Sequence, residues 1–149
     1  MLLVNKVMDA VAAKIGRANL VPPGHIEKRG FPSMYSNSGK TDAVKIVVFP
    51  RSKTKISGSG NQPCYEVCIG IGVETKITDD SVKEGLRKLT GDIVSLFMEE
   101  SLEGCPKAVR ACEPLTLSYY NECLQKIRQF VSEIILTFNV PELMDENVR

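Results

Sequence analysis

The sequence predicts an α+β fold in which helices pack on a mainly antiparallel sheet. Residues 64–75 and 130–140 each show the alternation of apolar and polar side chains that is typical of a half-buried strand. Between them, residues 81–102 carry the apolar stripe of an amphipathic helix. Strands in a run, with a helix before the last one, indicate an α+β domain. A length of 149 residues suits one such domain, 1–149, with its own core.

The N-terminal third predicts one helix and one strand separated by a loop. In residues 2–15 apolar side chains recur every three or four positions, and Gly16 follows as a helix stop. Residues 44–49 predict a short strand that ends at Pro50. The glycine- and proline-rich segments 19–41 and 50–63 predict loops, which we expect to be mobile. For the second of these segments, the far side of a long hairpin is the alternative.

The strand predicted at 64–75 has two unlike faces. One face carries the apolar side chains Tyr65, Val67, Ile69, Ile71 and Val73, and the other carries Glu66, Cys68, Gly70, Gly72 and Glu74. The two glycines leave room for another group to pack closely, or they permit a bend.

The helix predicted at 81–102 has clear start and stop signals. Ser81 and Glu84 form a capping box, and acidic residues before it suit the positive end of the helix dipole. Gly104 and Pro106 end the helix. After a connection, residues 117–126 predict a short helix or turn that leads into the last strand.

The last predicted strand, 130–140, completes the sheet. Its apolar side chains Phe130, Ile134, Leu136, Phe138 and Val140 fall on one side, with Glu133, Thr137 and Asn139 on the other. We therefore expect a chain that lacks this strand to fail to fold.

The charge distribution is uneven along the chain. Residues 1–60 hold ten Lys and Arg against three Asp and Glu, or +7, while residues 61–149 hold nine against fifteen, or −6, which together make the net charge of +1. A molecule with one basic and one acidic side can associate head to tail with copies of itself. The alternative is that the two halves interleave in the fold and the asymmetry disappears.

Composition indicates a cytosolic protein. No apolar run approaches the roughly 20 residues that span a bilayer, and the first residues lack the pattern of a signal peptide. The five cysteines, at positions 64, 68, 105, 112 and 123, are odd in number and irregularly spaced, so we expect free thiols. Cys64 and Cys68 on one strand would lie about 13 Å apart at roughly 3.3 Å per residue, too far to share a metal ion.

Two glycine motifs lack the pattern of a nucleotide-binding loop. Gly39-Lys40-Thr41 ends like a P-loop, but Met34 stands where the motif needs its first glycine. Gly70-Ile71-Gly72 lies inside a strand, and Thr75 replaces the third glycine of a dinucleotide fingerprint. No cofactor is therefore predicted.

One triplet suggests an alternative, catalytic function. Glu74-Thr75-Lys76, at a strand end, is similar to part of the active site of PD-(D/E)xK nucleases, where the carboxylate holds a divalent metal. That family needs a further acidic residue on a preceding strand, and Asp42 is the nearest candidate. His25, the sole histidine, has no neighbour in sequence that would orient it as a catalytic base. We expect no enzyme activity, with a metal-dependent nuclease and a small cytosolic interaction module as alternatives.

The order of elements resembles that of the tail-terminator, or tail-completion, proteins of long-tailed phages and of prophage head–tail joining proteins. The matching stretches are residues 2–15, 65–73 with Asp79-Asp80, 82–102 and 128–138, and the last of these contains the closest residue match, Leu136-Thr137-Phe138. The long loops at 19–41 and 50–63 and the five cysteines depart from the family.

This resemblance implies a non-catalytic virion assembly protein that forms a ring, commonly a hexamer. Such a ring caps the tail tube and docks onto the head connector, first in the host cytoplasm and then in the virion. The family implies no catalytic residues, so none are assigned. The basic residues Arg51, Lys53 and Lys55 are a possible interaction site for acidic neighbours or, without sequence preference, for DNA in the lumen. A solvated hairpin loop is the alternative for this segment.

Overall fold

A computed structural model of the chain describes residues 2–28, 44–56, 63–76, 80–118 and 129–141. These residues form two α-helices, a short 3₁₀-helix and seven strands. In chain order they are α1 (Leu2–Arg17), the 3₁₀-helix (Pro23–His25), β1 (Ile26–Lys28), β2 (Lys45–Ile56), β3 (Cys64–Lys76), α2 (Asp80–Leu96), β4 (Ser101–Leu102), β5 (Cys105–Arg110), β6 (Leu115–Ser118) and β7 (Gln129–Pro141).

The described strands make one mixed sheet in the order β1-β2-β3-β7-β5-β4, with β6 also paired to β7. Only the β1–β2 pair is parallel. The longest ladders join β3 to β2 and β3 to β7, so these three strands form the centre of the sheet. Together with the two helices, this sheet makes the protein an α+β domain, as the sequence predicts.

Both helices pack on the same face of the sheet. The β3–β7 register places Val67 opposite Phe138, Ile69 opposite Leu136 and Ile71 opposite Ile134. These side chains join one buried cluster with predicted stripe residues of both helical segments: Leu3, Val7, Val11 and Ile15 of α1, Leu86 and Ile93 of α2, and Phe97, which directly follows α2. The predicted stripes are confirmed as the core-facing sides of α1 and α2.

The helix α2 ends earlier than predicted. Its last residue is Leu96, and the N–H of Phe97 donates to the carbonyl of Val94 at 3.0 Å, a tighter turn that ends the helix. The predicted end at residue 102 is wrong, because residues 101–102 form β4. Gly104, predicted to stop the helix, instead has a φ of 84° and lies in the tight turn between β4 and β5.

The connection before β7 contains two strands that the sequence did not predict. Strand β5 pairs with β7 at Phe138 and Asn139, and β6 pairs with β7 from residue 132 to 135. The prediction of a helix or turn at 117–126 is wrong at Leu117 and Ser118, which belong to β6; residues 119–128 lie outside the described part of the chain. Both strands lie beside β7 because β3 already occupies its other edge.

The second face of the sheet is packed around an aromatic ring. Phe49 lies opposite Gly70 in the β2–β3 ladder and is fully buried. A Cβ atom on Gly70 would lie 2.4 Å from Cε2 and 2.5 Å from Cζ of Phe49, whereas one on Gly72 would lie 3.8 Å from the nearest ring atom. Of the two roles expected for the glycines, close packing is therefore observed at Gly70, where the group that approaches is the neighbouring strand's phenylalanine. At Gly72 the spacing is that of an ordinary van der Waals contact.

Strand β2 continues through Pro50, where the sequence predicts its end. The ladder with β3 shifts register between Pro50 and Ser52 and then continues to Ile56. A proline has no N–H to donate, but β1 pairs with β2 only up to Val48, so Pro50 lies where β2 is an edge strand beside a bulge. For the segment 50–63 the sequence left two alternatives, a mobile loop or the far side of a long hairpin. At residues 51–56 the hairpin is observed. Residues 57–62 and 29–43 lie outside the described part of the chain.

We expect Gly70→Ala to destabilise the protein by about 1–3 kcal/mol, because the added methyl group must displace the buried Phe49 ring. Gly72→Ala is the matched control, since its Cβ meets only ordinary van der Waals contacts. Urea unfolding of both variants measures the difference. Equal free energies of unfolding for the two variants would contradict the packing described for Phe49.

We also expect a chain that ends at Gln129 to be unfolded. It lacks most of β7, the strand that pairs with β3 on one side and with β5 and β6 on the other. Circular dichroism and solubility of the shortened chain, compared with the full chain, provide the measurement. A soluble and cooperatively folded product would show that β7 is not needed to complete the sheet.

Candidate interaction surface on the β2 arm

The outer half of β2, residues 51–56, is the most exposed part of the β2–β3 hairpin among the residues that the structure describes, and we call it the β2 arm. Residues 51–55 are all exposed, on both faces of the strand, and Ile56 is half-buried. The arm pairs with β3 on its inner side only. No strand of the described chain pairs with its outer side, because β1 ends its pairing at Val48. Among the described residues, the arm is therefore an open sheet edge.

Arg51 makes an internal ion pair at the base of the arm. Its Nη1 donates to both carboxylate oxygens of Glu133 on β7, at 2.7 and 2.6 Å. Glu133 is 1% exposed, so its charge needs a cation or several hydrogen-bond donors. Arg51 supplies that cation and ties the arm to β7 across β3. The sequence predicted Arg51 as an interaction residue, but the structure places its guanidinium against the protein's own sheet.

Lys53 and Lys55 carry the remaining positive charges of the arm. Lys53 lies opposite Val67 in the ladder, and Lys55 lies opposite Tyr65, so both are on the core-facing side of the sheet. The Nζ of Lys53 is 4.5 Å from the centroid of the Tyr65 ring, a cation–π contact. This contact holds the Lys53 ammonium over the end of the sheet while its side chain stays exposed.

The uneven charge of the sequence is partly cancelled in the fold. Lys14 lies 3.7 Å from Glu99 and 3.9 Å from Glu103, and Arg17 lies 3.4 Å from Glu103. These pairs, like Arg51–Glu133, join the basic first part of the chain to the acidic second part. At these pairs, the basic first part and the acidic second part of the chain therefore lie together in the fold. The two lysines of the β2 arm form a local basic surface.

His25 lies on an open groove of about 650 Å³ between the end of α1 and α2. The groove wall includes Leu20, Val21, Leu86 and Leu89, with Lys88 and Asp92 at its polar side. Lys88 and Asp92 form an ion pair of 3.4 Å with each other. The described residues that line the groove include no serine, threonine or cysteine, so His25 has no nucleophile to activate there.

Glu74 is 2% exposed on the second face of β3, opposite Lys45 of β2. A metal-binding carboxylate of a nuclease must reach a phosphate that enters from solvent, and this position does not offer such access. Asp42, its suggested partner, lies outside the described residues, as does Gly39-Lys40-Thr41. Within the described ranges, no three His, Cys, Asp or Glu residues are placed to hold a metal ion.

The described cysteines are free thiols in separate environments. Cys64 and Cys68 are half-buried on β3, Cys105 is buried, and Cys112 is exposed. Burial raises the pKa of the Cys105 thiol, and the opposing effect of the Lys6 charge is smaller. Cys105 is therefore a core residue with little thiolate at neutral pH. Cys123 lies outside the described residues.

Neither described helix is long and apolar enough to cross a membrane. The sequence matches no protein-family model, and a search of curated proteins finds none that matches.

We expect Arg51→Ala to cost about 3 kcal/mol of folding free energy, because it leaves the buried Glu133 carboxylate without its guanidinium. Lys55→Ala, on the same arm, is the control and should change stability by less than about 0.5 kcal/mol. Chemical unfolding of both variants measures the difference. If Arg51→Ala were as stable as Lys55→Ala, the ion pair would not hold the arm.

Proposed function

We propose that this protein is a non-catalytic virion assembly protein of a phage or prophage, a tail terminator or head–tail joining component that acts by forming a ring. The observation that carries the proposal is the arrangement of β3, α2 and β7. The chain leaves β3, forms an amphipathic helix on the core face, and returns as a final strand beside β3. With α1 and the β2–β3 hairpin before it, this order of elements is consistent with the one that the resemblance implies and supports the proposal.

The open edge of the sheet supports a function through association. Within the described ranges, the β2 arm offers an unpaired strand edge with exposed lysines, whereas the buried Glu133 serves an internal contact. In a ring with heterologous contacts, each subunit presents two different patches to its neighbours, and an open sheet edge can be one of them. A catalytic function has less support, since Glu74 is buried and the described residues that line the groove beside His25 include no serine, threonine or cysteine.

The proposed partners are other copies of this chain, the tail tube and the head connector. Assembly would begin in the host cytoplasm and end in the virion. Contact between Lys53 and Lys55 and DNA in the lumen would be weak and without sequence preference, because two lysines neutralise at most two phosphates per subunit.

Sedimentation velocity over a range of concentrations and salt tests the proposal. We expect a closed oligomer of the 16.4 kDa chain, which negative-stain electron microscopy should show as a ring. Because some assembly proteins form rings only on their target, the measurement is repeated with purified tail tubes. A strict monomer that neither assembles nor binds tubes would contradict the proposal and favour a small interaction module.

A further inference from the structure

We propose that the β2 arm of one copy docks against the opposite edge of the sheet in the next copy, at strand β4. This inference rests on the proposed ring and assigns the two patches that meet in it. We define the β4 edge as residues 98–103 together with Val109 of β5. The occupant of each patch is thus a second copy of this chain.

The register of the sheet places the two patches at the same level along the strands. One row of paired residues runs from Lys53 through Val67 and Phe138 to Arg110. The next row runs from Thr54 through Glu66, Asn139 and Val109 to Ser101 of β4. The arm and the β4 edge are therefore the two ends of the same rows. A rotation about an axis parallel to the strands brings one end against the other in a neighbouring copy.

The β4 edge has the composition of a protein interface. Met98 is 45% exposed and Val109 is 44% exposed, and they are two of the three large hydrophobic side chains that are exposed among the described residues. Glu99, Glu100 and Glu103 surround them and are exposed. Exposed apolar side chains with a charged rim are typical of sites where another protein binds.

The two patches carry opposite charges: residues 51–55 are basic, and residues 99–103 are acidic. Residues 51–55 contain three basic side chains, of which Lys53 and Lys55 are directed away from the internal ion pair. Residues 99–103 contain three glutamates. Lys14 and Arg17 of α1 reach two of these, but the carboxylates keep 59–76% of their exposure, so those pairs are weak and leave the glutamates accessible.

The direction of the strands also fits. Successive antiparallel pairings from β2 through β3, β7 and β5 to β4 give β2 and β4 the same direction. A rotation about an axis along the strands preserves direction, so the arm would lie parallel to β4, as β1 lies parallel to β2. Pairing two arms with each other would instead bring Lys53 and Lys55 of both copies together, and that repulsion disfavours a symmetric dimer.

Charge reversal on each patch tests the pairing. Lys53→Glu/Lys55→Glu changes the arm, and Glu99→Lys/Glu100→Lys changes the β4 edge. We expect each double variant to weaken self-association at least tenfold in sedimentation or mass photometry. The fourfold variant that carries both changes should assemble again, because the two reversed patches attract each other. Arg87→Glu/Lys88→Glu, on the exposed side of α2, is the matched control and should assemble like the unchanged protein, and circular dichroism verifies that every variant is folded.

Each outcome separates this inference from the proposed function. Loss of assembly in both double variants and recovery in the fourfold variant supports the pairing. If the unchanged protein and the double variants form rings equally well, the proposed pairing is wrong and the proposed ring is supported. The same conclusion follows if the unchanged protein forms rings and the fourfold variant does not recover assembly. If the unchanged protein is monomeric even with tail tubes, both the ring and the pairing are wrong.

Discussion

The pairing of β3 with β7 is the interaction on which the rest of the structure depends. It is an uninterrupted ladder between two segments that are far apart in the sequence. Its core-facing side supplies the surface on which both helices pack, and the free edge of β7 supplies the places for β5 and β6. Because these contacts are non-local, the loop-closure entropy of bringing β7 to β3 must be overcome before the helices gain a complete surface to bury against.

The hairpin strand β2 has two parts with different roles, and the register shift at Pro50 separates them. Before the shift, Val47 and Phe49 are fully buried on the second face, and Phe49 fills the space above Gly70. After it, the arm is exposed and basic. Arg51 lies at the boundary, where its ion pair with Glu133 holds the beginning of the arm against β7. One strand therefore contributes to the core at one end and is exposed at the other, since the proline and bulge allow its two parts to differ in twist and in exposure.

Charge shows how a property of the sequence changes its meaning in three dimensions. The counts of charged residues in 1–60 and 61–149 predict a molecule with one basic and one acidic side. In the fold, Lys14 and Arg17 lie beside Glu103, and Arg51 lies beside Glu133, so much of this separation is internal. Among the described residues, the lysines of the β2 arm and the glutamates of the β4 edge stay exposed. In the proposed ring, electrostatic steering between copies would act through these edge residues.

Local periodicity in the sequence predicts α1, α2, β3 and β7, with their core-facing residues and the close approach at Gly70. Alternation of two and of 3.6 residues reports which face of a strand or helix is buried, and it needs no knowledge of the partner. Only the tertiary structure decided that β2 passes through Pro50, that Leu102 belongs to a strand, and that β5 and β6 form at all. Short strands acquire stability from the strand beside them, and a proline is tolerated where no partner requires its N–H. The same holds for the candidate surface: Arg51, Lys53 and Lys55 are equally basic in the sequence. Only the buried carboxylate of Glu133 separates the first, a structural residue, from the two that stay exposed on the β2 arm.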